Sequence, residues 1–345
     1  MSTQQKWLRE QPGPASVGQV MDEFEAMARN GRRSQFRPLA TGFIPLDEIL
    51  NGGLRPGELM VIGGPYGVGK TILALQMARN AVHSDPDAKA IYICYEHDRT
   101  HLLSRLICLE SAERDTNGGS DSLTLRKLGK LTYSPIEASG LISLLRRDRR
   151  YVEMLRAIDS YADRLILARA GGTHTLQDIQ RWVEDLQTPG TSQILVVVDY
   201  LQKIALGHDR YMNEHELTTQ LSHGLKELAL AQGVPVVAIA AADRPSLKGQ
   251  RMRLADLRGS SALQYEADIG LVPNNKYDIV SREHLIYNLS DAESMRNWLV
   301  MTVEKNRAGR NTVDMEYALD GAHFRLVPEG AFVRERLIGG KAVLE

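Results

Sequence analysis

A strand, a glycine-rich loop ending in Lys-Thr and a helix, in that order, leave a chain few architectures to choose from. Residues 58–62 (ELMVI) form an apolar run, GGPYGVGKT follows at 63–71, and ILALQMA continues at 72–78. Gly64, Gly69, Lys70 and Thr71 satisfy G-x-x-x-x-G-K-[ST] between a predicted strand and a predicted helix. Glycines, Gly67 included, let backbone N–H groups turn onto phosphate oxygens, and the helix N-terminus adds the positive end of its dipole. Lys70 is expected to reach the β- and γ-phosphates and Thr71 to ligate Mg²⁺. ATP with Mg²⁺ is the cofactor these residues point to.

From residue 41 the chain alternates strand and helix patterns. Apolar runs recur at 90–96 (AIYICYE), 194–200 (ILVVVDY), 234–240 (VPVVAIA) and near 270 (IGLVP). Runs of this kind are strands buried on both faces, so the expected fold is α/β, a mostly parallel central sheet flanked by helices. Upstream, Val17, Val20, Met21, Phe24 and Met27 recur at helical spacing, with Ser16 and Gln19 as a capping box and Asn30-Gly31 as the stop. The expected organisation is a disordered tail at 1–15, a linker helix and connector at 16–40, and one nucleotide-binding domain at 41–345. The linker helix has an apolar face that needs a partner, which another subunit could supply. A second capped helix is predicted from Thr175 and Asp178, whereas 110–165 is polar, helical in tendency and poorly specified.

Composition narrows the partners. A net charge of −1 gives no global basic field, so any nucleic-acid contact must be local. Cys94 and Cys108 lie in predicted core elements without metal-ligand spacing, which fits a reducing cytoplasm. The polar start lacks an apolar signal core, and no run approaches the ~18 apolar residues of a membrane span. A cytoplasmic protein is expected.

Asp199 ends the run ILVVV, where a carboxylate downstream of a phosphate loop can hold Mg²⁺. Glu96 ends AIYICY in the same way. Parallel strands align their carboxyl ends, so Glu96, Asp199 and the loop should meet at one sheet edge, with Glu96 placed to polarise the attacking water. His97 and His101 share an i,i+4 spacing that zinc could use, but no third ligand is evident and the helix dipole accounts for the nearby acids. For nucleic acid the best stretch is DRPSLKGQRMRLADLRGSS, which carries Arg244, Lys248, Arg251, Arg253 and Arg258. It has no aromatic residue for stacking, so phosphate contacts to single-stranded DNA are expected there. A weaker alternative is the loop at 203–215.

Several of these segments together resemble the ATPase domain of DnaB-type replicative helicases, within the RecA-like superfamily. The resemblance runs from TGFIPLDEILNGGLRPGELMVIGGPYGVGKT through CYEHDRTHLLSRL, ILVVVDYLQKI, LSHGLKELALAQGVPVVAIA and RLADLRGSSALQYEADIGL to VEKNRAGRNTVDMEY. It implies a RecA-like ATPase with Glu96 as catalytic glutamate and Asp199 as the Mg²⁺-site aspartate. By the same resemblance Lys305 and Arg307 reach the γ-phosphate of the adjacent protomer, and the linker helix docks on a neighbour. A homo-oligomer, hexameric ring or filament, with ATP at subunit interfaces follows. Two departures stand out. Only about forty residues precede TGF, so the amino-terminal collar domain of that family is expected to be absent. Ala240 and Ala241 stand where the family places a polar residue and a glutamine that senses the γ-phosphate, and an alanine side chain cannot hydrogen-bond phosphate. The competing readings are a non-helicase ATPase whose nucleotide state governs assembly with a protein partner and, further off, a small-molecule kinase.

Overall fold

A computed structural model of the chain describes residues 13–29, 37–132, 140–206, 213–242, 251–257, 259–280, 293–335 and 337–338. Six strands form the parallel part of one sheet: β1 (Leu59–Ile62), β2 (Lys89–Cys94), β3 (Leu165–Arg169), β4 (Ile194–Asp199), β5 (Val236–Ile239) and β6 (Ile269–Asn275). They lie in the order β6-β1-β5-β4-β2-β3. Every residue of β1, β4 and β5 is buried, as strands covered on both faces must be.

The described helices are α1 (Val17–Arg29), α2 (Lys70–Ser84), α3 (Arg99–Glu113), α4 (Leu125–Thr132), α5 (Leu141–Arg147), α6 (Val152–Tyr161), α7 (Leu176–Leu186), α8 (Glu214–Gln232) and α9 (Ser260–Glu266), beside single-turn pieces. Side-chain alternation along β1 divides the core between two layers. Met60 and Ile62 pack with Leu73, Met77 and Ala81 of α2. Leu59 and Val61 face the other way, toward Ile179 and Val183 of α7 and Leu221 and Leu225 of α8.

The sheet continues beyond β6 as an antiparallel extension, β7 (Trp298–Asn306), β8 (Val313–Asp320) and β10 (Ala331–Phe332), with β9 (Arg325–Leu326) also pairing β8. The alternation in VDMEYALD marks β8 as a strand with one covered face, a signal the apolar-run criterion passes over. That criterion also passes over β3, an edge strand whose middle residues are only partly buried. The poorly specified region at 110–165 holds α4, α5 and α6, gathered on a small separate core of Ile107, Leu128, Leu145 and Met154.

Both predicted caps form. The Thr175 and Asp178 side chains cap α7 reciprocally. At α1, Ser16 N–H donates to Gln19 Oε1 at 2.8 Å and Gln19 N–H to Ser16 Oγ at 3.3 Å. Val17, Val20 and Met21 on α1 are each at least half exposed. Among the described residues, no helix is long and apolar enough to cross a membrane.

Candidate functional site

The loop from β1 to α2 lies at the carboxyl edge of the parallel strands. Gly64 is required by crowding: a Cβ there would sit 2.6 Å from the Pro273 carbonyl oxygen. Gly69 has φ +98°, a left-handed conformation that a side chain resists, and it opens α2. The Lys70 ammonium donates to the carbonyls of Gly64 at 2.9 Å and Pro65 at 2.8 Å. Burial pushes its pKa down, while the charges of Asp199 and Glu96 oppose that shift. Lys70 therefore lies within electrostatic reach of both predicted acids.

Asp199 is buried and receives two hydrogen bonds on one oxygen, from Thr71 Oγ1 at 2.8 Å and from the Tyr92 hydroxyl at 2.7 Å. The Tyr92 contact is not anticipated from the sequence, although its place two residues before Cys94 gives it the same face of β2. Burial, then the Asp199 charge, push the Tyr92 hydroxyl well above its ordinary range, which keeps it a donor. In the β2–β4 register Cys94 pairs with Asp199, so Glu96 overhangs the same edge two residues further on. Glu96 is exposed there. A hydroxyl and a carboxylate are hard oxygen donors of the kind Mg²⁺ takes, and the first turn of α2 leaves its N–H groups for phosphate oxygens. The residues present thus fit a Mg²⁺–nucleotide.

Beside the loop runs a cleft of about 340 Å³ lined by Tyr66, Asn275, Asp278, Arg296 and Leu319 among others. Arg296 stacks on the Tyr277 ring at 3.8 Å. A flat cation beside hydrogen-bonding side chains can take the ribose and base of a nucleotide whose phosphates lie on the loop.

His97 and His101 stack at 4.6 Å between ring centres. Arg105 Nε donates to His101 Nε2 at 3.1 Å, and Arg105 Nη2 lies 3.1 Å from His97 Nε2. A guanidinium can only donate, so both Nε2 atoms act as acceptors and both rings are neutral. Among the described residues no group of three His, Cys, Asp or Glu side chains could hold a metal. Burial first, then the Arg105 charge, lower both histidine pKa values below 6.5. The contribution of these two histidines to folding stability is therefore complete above about pH 6.5 and is lost as pH falls through the lowered values, because the unfolded chain takes up protons first; His83, whose pKa burial also lowers, acts in the same direction. Thermal melts from about pH 5 to 8 should show this decline. Replacing both histidines by Gln, which retains an acceptor for Arg105, should reduce it and leave the part due to His83.

The predicted basic residues divide. Lys305 and Arg307 lie far from their own phosphate loop. Asn306 pairs with Ile269, and Arg307 N–H donates to the Asp268 carbonyl, level with the first residue of β1. The loop begins at the other end of β1, about 13 Å along the strand direction at ~3.3 Å per residue. Arg251 corrects an expectation. Its side chain is 5% exposed, pairs with Asp314 and donates to Thr302 Oγ1 at 2.7 Å, so it is committed to the antiparallel strands and does not face a DNA phosphate. Arg253 pairs with Glu304 at 3.0 Å and is likewise engaged. Both acids lie about fifty residues or more downstream, which no local reading of the basic stretch could reveal. Arg244, Lys248 and Arg258 lie outside the described residues, as do residues 207–212 of the alternative loop. Ala240 is buried, and Ala241 N–H donates to Gln202 Oε1 at 3.1 Å, joining the end of β5 to the segment after Asp199.

A phosphate loop after β1, an aspartate at the end of β4 and an acid just past β2, on a sheet of this strand order, define a RecA-like P-loop nucleotide-binding fold. The chain belongs to the DnaB-like helicase C terminal domain family, whose profile matches residues 38–325. It is 29% identical over 253 residues to the replicative DNA helicase DnaB of Treponema pallidum, covering 73% of this chain and 51% of that protein. It is 27% identical over 320 residues to the Mycoplasma genitalium DnaB, covering 90% and 61%. The chain thus spans about half to three fifths of these relatives. Among solved structures, a DnaB-like replicative helicase, determined together with its interactions with primase, superposes with a TM-score of 0.65 at 20% identity, over 91% of this chain and 67% of that one.

Proposed function

We propose that the chain is a Mg²⁺-dependent ATPase that assembles with copies of itself into a ring or filament and acts on single-stranded DNA. The observation that carries the reading is the separation of Lys305 and Arg307 from their own phosphate loop, since a cation pair so placed serves a nucleotide only across a subunit junction. In this reading Lys70 and the amides of the loop, Gly64 to Gly69, hold the phosphates, and Thr71 and Asp199 hold Mg²⁺. Glu96 accepts a proton from the attacking water. Lys305 and Arg307 of one subunit face the γ-phosphate in the next and stabilise its developing charge. When bound, Mg²⁺ would supply further charge neutralisation on the transferring phosphate. The exposed face of α1 supports assembly, being an apolar surface on a helix joined to the domain by a short connector.

The replicative helicases it resembles make single-stranded DNA the substrate to test first. Of the basic stretch, Arg244, Lys248 and Arg258 are the remaining candidates for phosphate contact. ATP hydrolysis should rise on adding single-stranded DNA, with binding that weakens steeply with salt. Changing Arg244 and Lys248 to Ala should lower the slope of log affinity against log salt by roughly 1.4, the value for two single-strand phosphates. Absence of DNA binding by the parent protein at low salt, with a non-hydrolysable ATP analogue present, would overturn the nucleic-acid reading. It would leave an ATPase whose nucleotide state controls assembly with a protein partner.

A further inference from the structure

Arg307 is held at three points by one short segment of its own chain. Its main-chain N–H donates to the Asp268 carbonyl at 2.9 Å. Its Nη1 donates to Asp268 Oδ1 at 3.1 Å, and its Nη2 to the Tyr265 carbonyl at 2.7 Å. Lys305 joins it, donating from Nζ to the Gln264 and Tyr265 carbonyls. Both cations thus sit on the last turn of α9, where helix carbonyls lack intrahelical partners and the dipole is negative.

Asp268 is itself fixed. Its other oxygen receives Leu59 N–H at 2.8 Å and Lys226 Nζ at 2.6 Å, and Lys226 also donates to the Gly57 carbonyl at 2.7 Å. The Asp268 side chain is 9% exposed and that of Arg307 50%. A guanidinium carries five N–H donors in one plane. Two contacts to its own subunit set that plane and leave the rest of the fork toward solvent. The arrangement presents the cation and does not bury it.

We propose that Asp268, together with the carbonyl end of α9, is the positioning device for Arg307, orienting the guanidinium for the phosphate of the neighbouring subunit. The proposal rests on the across-junction role of Arg307 given above.

The test uses the full chain with Asp268→Asn, which keeps the size and an acceptor for Leu59 N–H but removes the charge. The turnover number for ATP should fall about 10- to 100-fold, the effect of a misplaced group, with KM unchanged. The decisive measurement mixes this variant with Lys70→Ala chains. Where an Asp268→Asn chain presents its intact phosphate loop to a Lys70→Ala neighbour, the neighbour's properly held Arg307 completes the site. Activity should return to roughly a quarter of the parent rate at equal mixing in a head-to-tail assembly. Arg307→Ala mixed with Lys70→Ala is the control and should recover in the same way. If the control recovers and the Asp268→Asn mixture does not, Asp268 serves only its own β1 and the proposal falls. If the control also fails, the across-junction role of Arg307 is wrong and the proposal falls with it. Should Asp268→Asn fail to assemble, Asp268→Glu keeps the charge and shifts it by one methylene. It is expected to show a smaller defect that the same mixing rescues, and lack of rescue overturns the proposal.

Discussion

Glu96→Gln protein is expected to bind ATP with the parent's affinity and to lose turnover by roughly 10²- to 10⁴-fold, the range for a positioned general base. The argument is local. Glu96 overhangs the sheet edge two residues past Cys94, the register partner of Asp199, and its charge is felt at Lys70. Glutamine has the shape of glutamate but cannot take a proton from water at neutral pH. The groups assigned to binding remain in place: Lys70 at the loop, and Thr71 bonded to Asp199 at 2.8 Å. Equilibrium binding of a fluorescent ATP analogue and steady-state phosphate release separate the two quantities. Hydrolysis at the parent rate would remove Glu96 from the chemistry. Loss of binding together with turnover would make it part of the nucleotide cradle.

Arg307→Ala should be more severe, about 10³- to 10⁵-fold in turnover, the effect of a guanidinium that neutralises charge on a transferring phosphoryl group. The fold should tolerate the change, because the Arg307 side chain is half exposed and Asp268 keeps Lys226 as a counter-ion at 2.6 Å. Hydrolysis should therefore depend on protein concentration in the parent, as junctions form, and stay low at every concentration in the variant. A residual rate near the parent's, or a parent rate per chain independent of dilution into the monomer range, would mean that each subunit completes its own site.

Most of the candidate nucleotide site is legible in the sequence because its residues sit at fixed offsets within short segments. Gly64 to Thr71 form one continuous motif. Glu96 and Asp199 each end an apolar run, and the alignment of parallel strands joins them without further information. The caps of α1 and α7 are legible for the same reason, since a capping box spans only four residues. The antiparallel strands β7 and β8 are less so: a half-covered strand carries an alternating pattern, and a search for solid apolar runs passes over it.

The basic residues mark the other limit. In sequence, Arg251 and Arg253 belong to a cationic stretch and read as free charges. In three dimensions Asp314 and Glu304, on strands formed much later in the chain, hold them. The spacing of Arg307 shows nothing of its partners, yet Asp268 and the end of α9 hold it. Tyr92 reads as core, yet its hydroxyl meets Asp199. The nucleotide cradle and the layered α/β sheet follow from the order of residues alone, being consequences of local backbone geometry and of apolar periodicity. Which cations are paired, and which point away from their own loop, emerges only when the strands are assembled. A charge's partner depends on distance in space, and strand order brings together residues that spacing along the chain does not relate.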